Sequence, residues 1–236
     1  MRFTIAIAGA VLTALSLAPA TATAAPENPD MSPMIIGGSY AQNFPYAARL
    51  FANGRENCSA TKIAPNWILT AEHCVASNAT YTFRAGSLDQ HSGGQMVTAS
   101  QIIKHSSADL ALARVSPAMS GPFSPLVAEV RTGQTVQLYG WGATCTNQPE
   151  INCQSRYLKV ANTRVTNTNG RDYRGGVAIS VSRVDGIAAG GDSGGPMFAN
   201  GRQVGVASTS DRSTRSNYTS VNHGPYRTWI RQHAGV

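Results

Sequence analysis

Three side chains of this sequence have the types needed for acyl transfer: a serine, a histidine and an aspartate. The serine is Ser193, inside Gly191-Asp192-Ser193-Gly194-Gly195-Pro196. A hydroxyl is a weak nucleophile unless a base stands beside it. The negative charge that forms on an attacked carbonyl needs backbone N–H donors aimed at it. Glycines let the backbone take the dihedral angles that aim such donors. The stretch therefore suggests Ser193 as a nucleophile, with the N–H groups of Gly191 and Ser193 as an oxyanion hole. A plain glycine-rich turn is the alternative, and the partners elsewhere in the chain must decide. His73 ends Trp67-Ile68-Leu69-Thr70-Ala71-Glu72-His73, and a neutral imidazole takes up a proton near pH 7. His91, His105, His223 and His233 read as ordinary surface or satisfied histidines. Asp109 precedes the apolar run Leu110-Ala111-Leu112-Ala113, where it could also be only a strand-start residue.

The order His73, Asp109, Ser193 and the residues around each resemble the trypsin/chymotrypsin-like serine proteases. The resemblance covers about Ile35 to the C-terminus and includes Gly140-Trp141-Gly142. It implies His73 as general base and Asp109 as the group that fixes the imidazole tautomer, with no metal or organic cofactor. Glu72 replaces an alanine common in that family and is expected to point away from the triad. Ile35-Ile36-Gly37-Gly38 resembles the N-terminus that trypsin-like zymogens expose on activation. The freed Ile35 ammonium would pair with Asp192, so cleavage of Met34–Ile35 is the expected activating step. Methionine replaces the basic residue usual before that bond, which leaves both self-activation and the identity of an activating protease open. Of the three pairings open to Cys58, Cys74, Cys145 and Cys153, the resemblance implies Cys58–Cys74, which leaves Cys145 with Cys153.

The specificity pocket expected from the resemblance uses Ile187, Ser208, Thr209, Ser210 and Ser216. Trypsins carry an aspartate at the Ile187 position. An apolar base cannot pair a buried Arg or Lys head group. Thr209 and Ser210 replace a usual tryptophan and glycine, and Ala189 stands where the family's pocket-closing disulfide begins. Small or apolar uncharged residues before the cut are therefore expected. Arg/Lys specificity would need Asp185 or Asp211 to enter the pocket.

The elements that must position these groups read as short strands. Candidates are 46–51, 67–71, 81–85, 96–103, 110–115, 135–141, 157–163, 177–181, 196–198 and 203–208, rich in β-branched and aromatic residues and broken by Gly, Pro, Asn and Ser. This pattern suggests an all-β sandwich or barrel. The resemblance narrows it to two six-stranded antiparallel β-barrels with the active site between them. Only 225–234 has helical spacing, after a proline.

Residues 1–25 read as a secretory signal peptide: a basic start, a short apolar run and small-residue cleavage sites. Residues 26–34 form a short activation propeptide, and 35–236 the protease domain. The expected location is outside the cell. No later stretch is apolar enough to span a bilayer. The 236 residues carry a formal charge of +7. The basic residues are scattered without aromatic interleaving, which argues against nucleic-acid binding. No Cys-x-x-Cys or Cys/His spacing suggests zinc. Few disulfides and short loops suggest a small bacterial member, a monomer acting on protein or peptide substrates. Two rival readings remain open: a cationic binding protein on the same fold that has lost activity, and a hydrolase of esters only.

Overall fold

The computed structural model describes residues 35–236, and the expected signal peptide and propeptide lie outside the described residues. Two short strands lead in, β1 (Ile36–Gly37) and β2 (Ser39–Tyr40). Six strands follow: β3 (Ala47–Ala52), β4 (Arg55–Ala64), β5 (Trp67–Thr70), β6 (Tyr81–Ala85), β7 (Gln95–Lys104) and β8 (Ala111–Ser116). They close as β3-β4-β5-β8-β7-β6, with β6 pairing back to β3. Alternate residues face inward, so Leu50, Ile68, Phe83, Val97, Leu110 and Leu112 fill this barrel.

The second half contains β9 (Thr135–Gly140), β10 (Lys159–Arg171), β11 (Val177–Arg183), β12 (Gly186–Ile187), β13 (Pro196–Ala199), β14 (Arg202–Ser210) and β15 (Arg215–Ser220). The order β11-β15-β14-β13-β9-β10 closes through antiparallel pairing of β10 with β11. The result is a second six-stranded antiparallel barrel, around Leu138, Val165, Ile179, Val181, Met197 and Tyr218. Closure removes the free sheet edges. β2 adds to the outside of β10, and β1 pairs with β12.

One helix, α1 (Gly224–Ala234), ends the chain. Pro225 stands in its first turn, and Gly235 ends it in a left-handed cap whose N–H bonds to Arg231 O at 3.0 Å. Its Tyr226 and Ile230 belong to the first barrel's core, so the C-terminus folds back over the first half. An aromatic cluster of Phe44, Tyr46, Tyr139 and Phe198 joins the segment before β3 to β9 and β13.

All ten expected strands form, but the two-residue strands β1, β2 and β12 and the barrel strands β4 and β15 have no counterpart in the sequence reading. Arg55-Glu56-Asn57-Cys58-Ser59 and Arg215-Ser216-Asn217 lack the β-branched residues that mark strands. Their backbones are nevertheless paired on both sides, β4 between β3 and β5, and β15 between β11 and β14. Pairing and burial override intrinsic preference there. The strand after Asp109 depends on barrel packing in the same way. Leu112→Ala, at a fully buried site in β8, should cost about 2–5 kcal/mol in urea unfolding.

Candidate active site

His73 opens a one-turn 3₁₀ helix directly after β5, tied down by the Cys58–Cys74 disulfide. Asp109 sits just before β8, fully buried. Because β5 and β8 are barrel neighbours, with Thr70 opposite Ala111, the two side chains meet. His73 Nδ1 lies 2.8 Å from Asp109 Oδ2, and the His73 backbone N–H donates to Oδ1 at 3.0 Å. Ser208 Oγ donates to Asp109 Oδ2 at 2.6 Å. Burial alone would raise the Asp109 carboxyl, but the bonds from His73 and Ser208 outweigh it and hold the group below its ordinary range. A carboxylate only accepts hydrogen bonds. The imidazole proton therefore belongs on Nδ1, which leaves a lone pair on Nε2.

The loop that carries Ser193 is pinned from both barrels. Ser59 N–H in β4 donates to Ser193 O at 2.9 Å, and Gly194 N–H donates to Ala207 O in β14 at 2.8 Å. Asp192 is almost fully buried beneath it. Its carboxylate accepts from Gly142 N–H at 2.7 Å and Ala189 N–H at 2.9 Å. A Cβ on Gly142 would lie 2.2 Å from Asp192 Oδ2, so only glycine fits there. Burial pushes the Asp192 carboxyl up to about 6, against the pull of those two N–H groups and of Arg49 and Lys159. Ile35, the expected new N-terminus, is fully buried.

A cleft of about 230 Å³ opens beside Ser193, lined by Ala188, Ala189, Gly190, Ala207, Ser208, Thr209, Ser210 and Arg212. Of the residues expected to form the pocket, Ser208, Thr209 and Ser210 line this cleft. Ile187 does not line the cleft: it is fully buried in β12, opposite Ile36. Ser216 is also buried, and reaches the cleft only through its Oγ, which donates to Ser210 Oγ at 3.0 Å. Ser210 Oγ in turn donates to Ala188 O at 2.5 Å. Asp185 is occupied by Asn162, and Asp211 by the N–H groups of Ser213, Thr214 and Arg215. Neither acid lines the cleft. Glu72 pairs with Lys104 at 3.5 Å and Arg174 at 3.8 Å.

Cys145 and Cys153 form the second disulfide. The ligand atoms of Cys58, His73 and Cys74 lie within 4.8 Å of one another, but both sulfurs are bonded in a disulfide and offer no thiolate to a metal.

The sequence reading missed four side chains around this centre. Asp172 Oδ2 accepts the Asp109 backbone N–H at 2.9 Å and the Thr219 hydroxyl at 3.0 Å. Nothing in the sequence separates it from any acid in a turn. Ser59 Oγ donates to Gly191 O at 2.9 Å, and Arg49 and Gln154 reach the same loop. Arg49 had one signal, as a lone charge in the apolar strand Ala47–Ala52.

The trypsin family model matches residues 35–230. Trypsin delta of Drosophila erecta is 28% identical over 231 residues, which cover 87% of this chain and 90% of that protein. Among solved structures, human heparin binding protein superposes with a TM-score of 0.73 at 23% identity, over 85% of this chain and 96% of that one. A scabies mite inactivated protease paralogue gives 0.73 at 20% identity, over 85% and 98%. At such identities the structures establish the shared fold alone, and a fold does not decide activity. Nothing in these matches supports a bacterial origin.

The carboxylate at the centre gives a test. A carboxyl held below its ordinary pKa contributes stability above the ordinary carboxylate range, and loses it as pH falls through the folded value. Ser208→Ala removes one bond to that charge. It should cost about 1.5–3 kcal/mol near pH 7, and the difference from wild type should shrink as urea unfolding is repeated toward acid pH.

Proposed function

Because this chain belongs to the trypsin family, we propose that it is an exported serine endopeptidase, cleaving peptide bonds through an acyl-enzyme on Ser193. The observation that carries the reading is the His73–Asp109 bond of 2.8 Å on a fully buried carboxylate, which also accepts a bond from Ser208, a residue lining the same cleft as Ser193. His73 Nε2 takes the Ser193 proton as Oγ attacks the substrate carbonyl. The N–H groups of Gly191 and Ser193 receive the oxyanion. Protonated His73 then gives its proton to the leaving amine, and water repeats the sequence on the acyl-enzyme. Asp109 stabilises the imidazolium throughout.

The cleft supports small or apolar residues before the cut. Its walls are alanines, a glycine, short hydroxyl side chains and Arg212, so no carboxylate lines it to meet a lysine or arginine, and its one charged side chain is a cation that would repel them. Incubating protein that begins at Ile35 with a mixed peptide library, and reading the cuts by mass spectrometry, should give cuts after such residues. Cuts after Arg or Lys would keep the protease and remove the pocket assignment. A fluorophosphonate probe that leaves correctly processed protein unlabelled would remove the protease reading in favour of an idle binding protein.

Residues 1–25 act in this reading as the export signal, and 26–34 as a propeptide removed by another protease. Asp192 supports activation at Met34–Ile35. In the uncut chain Ile35 has no free ammonium, and burial raises the Asp192 carboxyl to about 6. A carboxyl raised on folding favours the native state below its ordinary pKa, and that stability is lost as pH rises through about 6. The loss is about 3 kcal/mol at roughly 1.4 kcal/mol per pKa unit. In the processed protein the Ile35 ammonium supplies a direct counter-charge beside those of Arg49 and Lys159. Asp192→Asn should therefore stabilise the uncut chain above pH 6 and destabilise the processed one, as read by urea unfolding of both forms.

A further inference from the structure

Arg49 poses a question that the triad does not answer. It lies in β3 with no exposed surface. Burial lowers its guanidinium to about 10, with Glu56 and Asp192 pulling the other way. A buried guanidinium is costly unless its donors are used. Two of them are: Nη1 donates to Gly191 O at 3.2 Å, and Nη2 donates to Gln154 Oε1. Glu56 lies 3.7 Å away, at the partly exposed end of the site.

Gln154 passes the contact on. Since its Oε1 accepts from Arg49, its Nε2 is free to donate, and it donates to Gly190 O at 3.3 Å. Ala143 N–H donates to the same carbonyl at 2.7 Å. On the next peptide, Gly191 O also accepts the Ser59 hydroxyl at 2.9 Å. Both carbonyls that flank Gly191 are therefore held. In a trans peptide the N–H points opposite to the carbonyl. Fixing Gly190 O against Ala143 and Gln154 fixes the Gly191 N–H in the opposite direction. Gly191 has φ +97°, which only glycine holds without strain, so its own backbone gives little resistance to a peptide flip. The restraint has to come from neighbours. Gln154 directly follows Cys153, whose disulfide to Cys145 closes the loop just before it. The same loop supplies Glu150, which accepts the Gly190 N–H at 3.0 Å.

We propose that Arg49 and Gln154 are positioning residues for the oxyanion hole: Arg49 orients the Gln154 amide, and the amide holds the Gly190–Gly191 peptide so that the Gly191 N–H faces the reacting carbonyl. The inference rests on the serine-protease reading above. Neither side chain touches substrate. Both act on the reaction through the direction of one backbone N–H.

The test uses protein processed to Ile35 and the variants Gln154→Glu, Gln154→Ala and Arg49→Lys. Glutamate can still accept from Arg49 but cannot donate to Gly190 O. Gln154 is only half-buried, so its variants should fold. Active sites are first counted with a fluorophosphonate, and kcat and KM are then measured per labelled site. A peptidyl trifluoromethyl ketone and the matching alcohol are compared as inhibitors. Ser193 Oγ adds to the ketone carbon, its proton passes to His73, and the carbonyl electron pair becomes an oxyanion that needs the hole; the alcohol forms none. Gln154→Glu should lower kcat about ten- to a hundredfold, less than the about hundred- to thousandfold that follows outright loss of a donor. KM should stay within about twofold, ketone affinity should fall with kcat, and alcohol affinity should hold. Arg49→Lys should retain more kcat than Gln154→Ala. An unchanged kcat per labelled site in Gln154→Glu, with any loss confined to the labelled fraction or the melting temperature, would overturn the proposal and leave a structural role. A wild-type protein that takes no label would remove the protease reading, and this inference with it.

Discussion

The burial of one carboxylate, that of Asp192, organises this molecule. A charge enclosed in protein is tolerated only when donors and counter-charges surround it. Gly142 and Ala189 bring their N–H groups to it, and Arg49 and Lys159 bring positive charge. Those requirements fix the approach of three segments that are far apart in the chain. Gly140 and Gly142 have no side chains because the carboxylate occupies that space. The lead-in strand β1 is held on β12, just before the loop that Asp192 anchors. Ser193, next in sequence, is thereby set at the surface of the cleft on a rigid base.

The two barrels contribute differently to the candidate site. The first holds His73 and Asp109 on adjacent strands, so their separation is set by the β5–β8 pairing. The second supplies cleft walls through β14, and the loop that carries Ser193 and leads into β13. Contacts between the halves set the register of the whole. Ser59 of β4 reaches the Ser193 backbone, and Ser208 of β14 reaches Asp109. A site built across two closed barrels gains precision because neither barrel can slide its strands independently.

Net charge and fold leave function open, and the relatives illustrate why. One fold accommodates a protein named for heparin binding, another named an inactivated protease, and trypsins. What separates such outcomes is local: an ionised acid behind a neutral imidazole, a free hydroxyl, and backbone donors pointing the right way. In this chain the acid and imidazole are in contact. The Gly191 and Gly190 carbonyls beside Ser193 accept bonds from Arg49 of β3 and from Gln154, which follows the Cys145–Cys153 disulfide.

Much of this was legible in the sequence. The glycines around Ser193, the apolar run after Asp109 and the small residues before His73 are local signatures, and local signatures survive in a linear string. Ten strands were readable from β-branched and aromatic residues for the same reason. β4 and β15 were not, because polar strands become strands only when neighbours pair with them on both sides. Ile187 was readable as an apolar replacement for an acid, but its burial away from the cleft lining depends on the pairing of β1 with β12. Arg49, Gln154 and Asp172 were invisible as partners of the site. They lie 142, 36 and 63 residues from the backbone groups they hold. The types of the chemical groups were thus determined by the sequence itself. Which carbonyl is gripped, which acid stays out of the cleft and which charge is enclosed were decided by the tertiary structure, because hydrogen bonds and desolvation act through distances that only the folded chain sets.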